Sequence, residues 1–423
     1  MNRCLAWCGT GLVIGVLTIG VIAVLPDASG FLYRLIGDVV AAVGIGPGID
    51  ALFGARVDLD PWLWGIAFVV AAVLLVGAVA AVFHGLSGAI GRRIEFRPSD
   101  LSLFGTSVLL TVGLLVPHAG VYPVFVMKVL CFALFACAFN LLIGFVGLLS
   151  FGHAAYFGSA GYIAGHVAKV WGWPPELAIL AATAVATLLG AVFGGIAIRR
   201  QGIYFAMITL AMAQMVFFFA LQAKFTGGED GIQAVPRGML FGIIDLNQPL
   251  AIYYTVFAIF LAGFALIYRT IHSPFGQVLK AIRENEARAI SLGYSVDRYK
   301  LVAFVLSAGL AGLAGGTKTI VFQLASLTDV DWTMSGEVVL MTLLGGIGTV
   351  FGPIVGAVID QAIENYFAQA GAWVTIITGA IFVACVLLFR RGVVGVLGGM
   401  FQRRMAGLAP PSATSELQPA PHA

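Results

Sequence analysis

Residues 122–170 read YPVFVMKVLCFALFACAFNLLIGFVGLLSFGHAAYFGSAGYIAGHVAKV. This stretch contains two apolar blocks, 122–142 and 152–170, and each is close to the roughly 20 residues that a helix needs to cross a bilayer. Around their junction, three glycines together with Ser150 and His153 interrupt the apolar pattern. The stretch therefore predicts two membrane-spanning helices with a Gly-rich break where they meet.

The composition of the whole chain excludes an ordinary soluble domain. Of its 423 residues, 60% are apolar and 10% are charged, whereas a soluble domain carries about 25% charged residues. The apolar blocks are also too long for the strands of a membrane β-barrel. We therefore expect an all-α polytopic membrane protein.

Twelve blocks along the chain approach the length of a membrane span, so we expect about 10–12 transmembrane helices, some of them broken or re-entrant. The block at 335–349 is short and contains Glu337, which favours a broken or re-entrant segment there. The twelve blocks are 5–25, 62–83, 101–116, 122–142, 152–170, 176–198, 203–222, 250–268, 301–322, 335–349, 351–367 and 372–389.

The chain divides into three predicted parts. Residues 1–100 form an N-terminal extension with two transmembrane helices, although the first apolar block also fits a cleaved signal peptide. Residues 101–391 form the transmembrane core, which includes a long inner loop at 269–300. Residues 392–423 form a cytoplasmic tail, and its final stretch of Pro, Ser, Thr and Ala predicts disorder.

Lys and Arg residues indicate the orientation, because positively charged loops resist transfer across the membrane. If the N-terminus is inside and the spans alternate, most of the 23 basic residues fall in inner segments, and the outer loops are acidic instead. Both termini are therefore expected in the cytoplasm. The chain is expected to be a multi-pass protein of the inner (cytoplasmic) membrane.

The inner loop at 269–300 has a pattern of its own. Apolar residues recur at broadly helical spacing after the Ser273-Pro274 pair, a typical helix start, and Gly293 fits a helix end. The loop therefore predicts a short amphipathic helix under the membrane. Its polar face mixes both charges, which favours docking to a protein over the alternative of binding anionic lipid. The polar residues are Lys280, Arg283, Glu284, Glu286 and Arg288.

Several long motifs resemble a known family. They are NLLIGFVGLLSFGHAAYFGSAGYIAG from Asn140, RRQGIYFAMITLAMAQM from Arg199, TGGEDGI from Thr226, SPFGQVLKAIRENEARAISLGYSVDRYKLVAFVLSAGLAGLAGG from Ser273, and WTMSGEVVLMTLLGGIGTVFGPIVGA from Trp332. Through these motifs the chain resembles the permease subunits of ABC importers for branched-chain amino acids, the LivM type. The resemblance covers about 270 residues, from Tyr122 to the last span.

The resemblance implies a role for the inner loop. Residues 281–293 are implied to be a coupling helix that seats in a groove of an ATPase subunit and transmits its closure. Glu286-Ala287 followed by Gly293 resembles the importer loop signature, although Arg288 replaces the second alanine and the glycine comes one residue late. The residues implied to couple to the ATPase are Lys280, Arg283, Glu284, Glu286, Ala287, Arg288 and Gly293.

The resemblance also implies partners and a cargo. The chain is implied to be one permease half, surrounded by membrane lipid, that pairs with a second homologous permease, two ABC ATPase subunits and an extracytoplasmic solute-binding protein. The implied cargo is leucine, isoleucine, valine or a related amino acid, but importers for urea or short amides also resemble the chain. The net charge of +3 gives no reason to expect a nucleic acid partner.

The sequence predicts neither an ATP site nor a catalytic centre. The nearest match to a phosphate-binding loop, at 312–319, has Thr317 in place of the second glycine and extends through an apolar block. The motifs of zinc proteases and serine hydrolases do not occur. Cys4 and Cys8 are one turn apart but have no His or acid beside them to complete a metal site. We expect no enzymatic activity, cofactor or metal in this chain, and we expect partner subunits to use the ATP.

Two interrupted segments are the candidates for a translocation path. The second lies at 343–353, where glycines break the apolar pattern as they do near Ser150. Interrupted helices in corresponding places are typical of an internal repeat around a midplane pathway. Polar residues within apolar blocks usually face protein or water, and for His153 an interhelical hydrogen bond fits as well as the path. The residues expected along the path are Asn140, Ser150, His153, Gln214 and Glu337.

Composition alone leaves a second class open, an ion-coupled secondary transporter with a similar number of spans. Such a carrier would normally bury an acid near the centre of the membrane. Asp360 is the candidate for that role, and the sequence gives it no identifiable cationic partner.

Overall fold

The computed structural model describes residues 122–367 without interruption and nine isolated residues outside that range. The isolated residues are 109, 110, 113, 376, 379, 380, 383, 392 and 394. Apart from these single residues, the predicted N-terminal extension 1–100, the blocks at 101–116 and 372–389, and the tail 392–423 lie outside the described residues.

The described chain is largely helical. Five of its helical segments are long and apolar enough to cross a membrane, which confirms an all-α polytopic membrane protein. These five are Pro123–Val146, Pro175–Ala197, Ile203–Gln222, Pro249–His272 and Val296–Phe322. The α-helices are α1 (Pro123–Asn140), α2 (His153–Lys169), α3 (Pro175–Ala197), α4 (Ile203–Gln222), α5 (Pro249–His272), α6 (Pro274–Glu284), α7 (Glu286–Ser291), α8 (Val296–Phe322), α9 (Trp332–Gly345) and α10 (Gly352–Phe367).

Short elements connect the helices at one end of the bundle. They are the 3₁₀ turns Lys224–Thr226, Gly228–Asp230 and Leu327–Asp329, and the strands β1 (Ile232–Gln233), β2 (Met239–Leu240), β3 (Ile244–Asp245) and β4 (Leu324–Ala325). β1 pairs antiparallel with β4, and β2 pairs antiparallel with β3. The loop after α4 and the loop after α8 are therefore joined by main-chain hydrogen bonds.

The first predicted break lies where α1 ends. The helix continues as a π-helical turn at Leu141–Val146, in which the amide of Gly147 donates to the carbonyl of Leu142 at 3.0 Å. Gly147 then has φ +84°, a left-handed conformation that glycine adopts without steric cost. An irregular stretch follows, and α2 begins at His153. The glycines of this segment thus end one helix and allow the chain to fold back into the next.

The second predicted break separates α9 from α10. These helices have 14 and 16 residues, so each is about 21–24 Å long and shorter than the roughly 30 Å hydrocarbon core. Added Cβ atoms on Gly345 and Gly356 would collide with the carbonyls of Gly352 and Met341 respectively. These contacts describe an antiparallel hairpin whose arms touch through their backbones, so the short block with Glu337 is one arm of a broken hairpin.

Small residues hold α8 against α2 and α3. A Cβ on Gly315 would collide with the carbonyl of Phe157 in α2, and a Cβ on Gly312 would collide with the Ala186 side chain in α3. Close approach of helices through glycine and alanine is the usual packing mode in membranes, where water contributes no hydrophobic driving force. The glycine-rich stretch of α8 is therefore a packing surface at the centre of the bundle.

Burial differs sharply among the helices. Most residues of Pro123–Val146 are buried, whereas most residues of α4 are half-buried or exposed. The exposed side chains of α4 include Met207, Met215 and Phe218. An exposed face of this apolar character is typical of a helix at the perimeter of a membrane bundle.

The loops gather at two ends of the described bundle. The two breaks, the α3–α4 loop and the α6–α7 segment contact one another at one end, and the paired strands lie at the other end. This grouping matches the alternation of inner and outer loops that the charge pattern predicts.

The packing of α8 gives a direct stability test. Gly315→Ala should lower the free energy of unfolding by about 1–3 kcal/mol, because the new methyl group forces α2 and α8 apart. Gly195→Ala in α3 is the matched control, since an added Cβ there meets nothing within 4 Å. Thermal unfolding of both variants in mild detergent measures the difference, and equal melting of the two would contradict this packing.

Candidate coupling site and translocation path

The predicted coupling segment, here called the coupling segment and comprising α6 and α7 (residues 274–291), consists of two short helices instead of one. The prediction of a single helix over 281–293 was wrong, because Asn285 has an extended backbone with φ −157° that ends α6. The Asn285 side chain then accepts a hydrogen bond from the amide of Arg288 and caps the start of α7. Asn285 thus separates α6 from α7 and changes the direction of the chain between them.

Apolar contacts fix this segment to the start of α8. Ile282 of α6, Ala289 of α7 and Val296 of α8 form a buried cluster, and Val278 and Tyr299 pack against it. α6 itself starts at Ser273, whose hydroxyl accepts a hydrogen bond from the amide of Gly276. A displacement of the coupling segment would therefore move the first turn of α8 as well.

Polar contacts reinforce the same attachment. The carboxylate of Glu286 lies 2.7 Å from Nζ of Lys300 and accepts a hydrogen bond from Nε2 of Gln201 at 2.9 Å. Lys300 is buried, with 3% of its surface exposed, so its charge needs a partner. Glu286 supplies that partner and joins α7 to α8 and to the α3–α4 loop.

The structure divides the seven predicted coupling residues into two groups. Lys280, Arg283 and Glu286 contact other parts of this chain, and Nζ of Lys280 lies 5.7 Å from the centre of the Phe145 ring. The other four are exposed, as Arg283 also is, and leave their side chains, or for glycine the backbone, open to a partner. This second group is Glu284, Ala287, Arg288 and Gly293.

Asn140 joins the two helix breaks. Its Nδ2 donates to the carbonyl of Thr349 at 2.8 Å, and its Oδ1 accepts from the amide of Gly348 at 2.9 Å. Asn140 is buried, and both of its partners are backbone groups of the α9–α10 loop. These two bonds satisfy groups that the interrupted helix leaves without partners.

His153 lies in the protein interior and bonds to α8. Its Nε2 is 2.9 Å from Oγ of Ser307, and that hydroxyl donates to the carbonyl of Ala138 at 2.6 Å. Because the serine hydrogen is used there, Nε2 of His153 must carry a proton and donate to Oγ. The rings of Phe139, Tyr156 and Phe304 surround the imidazole, which gives His153 the interhelical role described above.

The remaining predicted path residues occupy different environments. Ser150 is buried and accepts a hydrogen bond from the amide of Gly152 at 3.2 Å. Gln214 is half-buried on α4, and Glu337 is exposed on α9. Neither of these two takes part in the hydrogen bonds that join the breaks among the described residues.

Sequence reasoning missed a buried serine at the same junction. Oγ of Ser335 accepts a hydrogen bond from the amide of Ala154 at 2.9 Å, which ties α9 to the first turn of α2. Ser335 is fully buried. The sequence could have indicated this contact, because Ser335 lies in an apolar block and hydroxyl groups in membrane helices often form hydrogen bonds to a neighbouring helix.

Two ion pairs also escaped the sequence analysis. Nζ of Lys318 lies 2.6 Å from both carboxylate oxygens of Asp329, and both side chains are nearly buried. Nζ of Lys128 lies 2.9 Å from the carboxylate of Glu364, one turn from Asp360. Lys318 thus lies in the last two turns of α8 and pairs with an acid of the following 3₁₀ turn.

The described residues contain no group of three or more His, Cys, Asp or Glu side chains that could hold a metal ion. A cavity of about 240 Å³ lies between the first break, the α3–α4 loop and the coupling segment. Its polar lining includes Gln201, Arg283, Glu286 and Lys300. The cavity is therefore lined by polar side chains from three segments, and its Glu286 and Lys300 pair with each other.

Comparison with known proteins identifies the family. The model of the family described as permease component of the branched-chain amino acid transport system matches residues 124–386, more than half of the chain. The chain belongs to this family. The match includes both helix breaks and the coupling segment, and the predicted N-terminal extension lies outside it.

Individual relatives agree with the family match. The chain is 26% identical over 243 residues to the high-affinity branched-chain amino acid permease LivM of Salmonella typhimurium and of Escherichia coli, which is 52% of this chain and 57% of each relative. It is also 26% identical over 204 residues to the ribose import permease RbsC of Escherichia coli, or 45% of this chain and 61% of that protein. The chain thus spans less than two thirds of these relatives. No solved structure matches it.

The junction of the breaks gives a second stability test. Asn140→Ala should lower the free energy of unfolding by about 1–3 kcal/mol, because it leaves the amide of Gly348 and the carbonyl of Thr349 without a partner. Asn365→Ala is the matched control on the exposed surface of α10. Melting curves in detergent compare the two, and a stable Asn140 variant would show that these bonds are dispensable.

Proposed function

We propose that this chain is a permease subunit of an ATP-driven importer in the inner (cytoplasmic) membrane. It lines one half of a translocation path, and separate ATPase subunits supply the energy. The observation that carries this proposal is the coupling segment, which exposes several charged side chains, contacts the first helix break and lies close to the second. The family match across the same residues supports it.

The proposed assembly contains a second homologous permease, two ABC ATPase subunits and an extracytoplasmic solute-binding protein. Branched-chain amino acids are the proposed cargo, because the matching family and two relatives aligned over 243 residues carry that name. The chain is also similar to a ribose import permease, so a sugar is one alternative cargo. Urea and short amides, which the sequence resemblance leaves open, are another.

The proposed mechanism is alternating access. ATP binding closes the two ATPase subunits, and their closure draws together the coupling segments of the two permeases. Because Ile282, Ala289 and Val296 pack together, α8 follows the coupling segment, and the central path reorients. The chain itself performs no chemistry in this scheme, and ATP is hydrolysed by the partner subunits.

An ion-coupled secondary transporter is the competing class. Asp360 is half-buried and lies one turn from Glu364, which pairs with Lys128. A half-buried acid beside an ion pair is less suited to bind a cation at the centre of a membrane than a fully buried acid is. Affinity purification of the tagged chain in mild detergent, followed by ATPase and vesicle uptake assays, separates the two classes.

Co-purified ATPase subunits and a second permease, with uptake that requires ATP and the binding protein, would support the importer. A chain that purifies alone and moves solute in response to an ion gradient without ATP would overturn the proposal. Uptake of leucine, ribose and urea in the same vesicles distinguishes the cargo classes.

The exposed face of α7 provides a mutational test. Arg288→Glu should reduce the amount of co-purified ATPase about tenfold, because it reverses the charge at a docking surface. Membrane insertion should be unchanged, since Arg288 is exposed. Arg298→Glu, which reverses an exposed charge on α8, is the matched control. Equal ATPase recovery from both variants would contradict the docking assignment.

A further inference from the structure

Arg283 is the side chain that reaches from the coupling segment to both helix breaks. Its Nη1 donates a hydrogen bond to the carbonyl of Gly144 in the π-helical turn. Its aliphatic stem lies against Gly147, where an added Cβ would be 3.1 Å from Cγ. The same Nη1 would be 3.0 Å from a Cβ placed on Gly348, in the α9–α10 loop.

The bond to Gly144 has a clear physical basis. The last carbonyls of a helix lack intrahelical partners, and the π-helical turn ends two residues after Gly144. A guanidinium group is a strong donor to such a carbonyl, because its positive charge strengthens the hydrogen bond. Arg283 therefore stabilises the broken end of α1 from the cytoplasmic side.

The glycines at this point permit the approach. Gly348 has φ +76° and lies so close to Gly144 that a Cβ would be 3.1 Å from the Gly144 carbonyl oxygen. Gly144 in turn has no room for a side chain beside Asn140 and Gly348. The two breaks thus touch backbone to backbone, and Arg283 lies at the same contact point.

Lys280 also reaches the first break, where its Nζ lies 5.7 Å from the centre of the Phe145 ring. Glu286 binds Lys300 and Gln201, which connects the segment to α8 and to the α3–α4 loop. Part of the space between α6 and the first break is the cavity of about 240 Å³, which Arg283 lines. Among the described residues of the segment, Arg283 is therefore the side chain that donates a hydrogen bond to the main chain of a break.

We propose that Arg283 is a positioning residue that makes the two helix breaks follow the coupling segment during the transport cycle. The inference rests on the proposed function. It assigns Arg283, an exposed residue, to the contact between the coupling segment and the first break, whereas the sequence motif groups it with residues that contact the ATPase. Loss of Arg283 should then separate ATP hydrolysis from transport without releasing the ATPase.

The test uses the complete assembly reconstituted in proteoliposomes, with solute uptake and ATP hydrolysis measured in the same vesicles. Arg283→Gln should retain co-purified ATPase and hydrolyse ATP within about twofold of wild type. Its uptake per ATP hydrolysed should fall about tenfold, a size typical of a lost coupling between two sites. Arg283→Lys, which keeps a stem and a charged donor, should recover part of the uptake.

Arg298→Gln is the matched control, because Arg298 is an exposed arginine in the first turn of α8. Its uptake per ATP should equal that of wild type. Gly348→Ala places a methyl group against Nη1 of Arg283 and should reproduce the loss of coupling from the opposite side of the contact. If Arg283→Gln fails to reach the membrane, uptake per ATP hydrolysed is measured in Arg283→Lys and Gly348→Ala instead.

Three results would overturn the inference. They are normal uptake per ATP in Arg283→Gln, loss of co-purified ATPase in that variant as in Arg288→Glu, and a lysine variant that is no better than glutamine. A wild-type assembly without ATP-dependent uptake would instead overturn the proposed function. The wild-type uptake measurement therefore distinguishes failure of the proposed function from failure of the inference about Arg283.

Discussion

The central constraint on this protein is that backbone groups inside a bilayer need hydrogen-bond partners within the protein. An uninterrupted helix meets that need by itself, but α1 and α9 both end in glycine-rich breaks that leave amides and carbonyls open. The chain meets the need by bringing the two breaks together. Asn140 supplies a donor and an acceptor to one break, and Arg283 supplies a donor to the other. Each break is stable because the other break and the coupling segment are beside it.

This arrangement links local chemistry to the transport cycle. The residues that stabilise the breaks lie at the end of the bundle where the coupling segment packs, so a force on that segment acts on the breaks over a short distance. The small residues of α8 allow it to lie tightly against α2 and α3, and Ile282, Ala289 and Val296 attach it to the same segment. Packed interfaces between protein segments usually switch between two discrete arrangements and do not deform continuously. An ATPase that moves the coupling segment would therefore move a connected unit.

Much of this fold follows from the sequence. Length and apolarity predict the spans, and clustered glycines beside Ser150 predict the first break, because these signals are local. Other features depend on contacts between distant segments. The turn at Asn285 divides a sequence pattern that predicts one helix. The hydrogen bond of Arg283 joins it to Gly144, 139 positions away in the chain. The ion pair of Lys318 could not be predicted either, because the sequence places Asp329 among the acids of an outer loop. In the fold its carboxylate lies 2.6 Å from Nζ of Lys318.

The most direct test of this account is a pair of cryo-electron microscopy structures of the assembled transporter, one without nucleotide and one trapped with ATP. We predict that the coupling segment changes position between the two states. We also predict that Arg283 stays within hydrogen-bonding distance of the Gly144 carbonyl, and that Asn140 stays bound to Gly348 and Thr349. A coupling segment that moves while the Arg283 contact opens and the breaks remain in place would contradict the account.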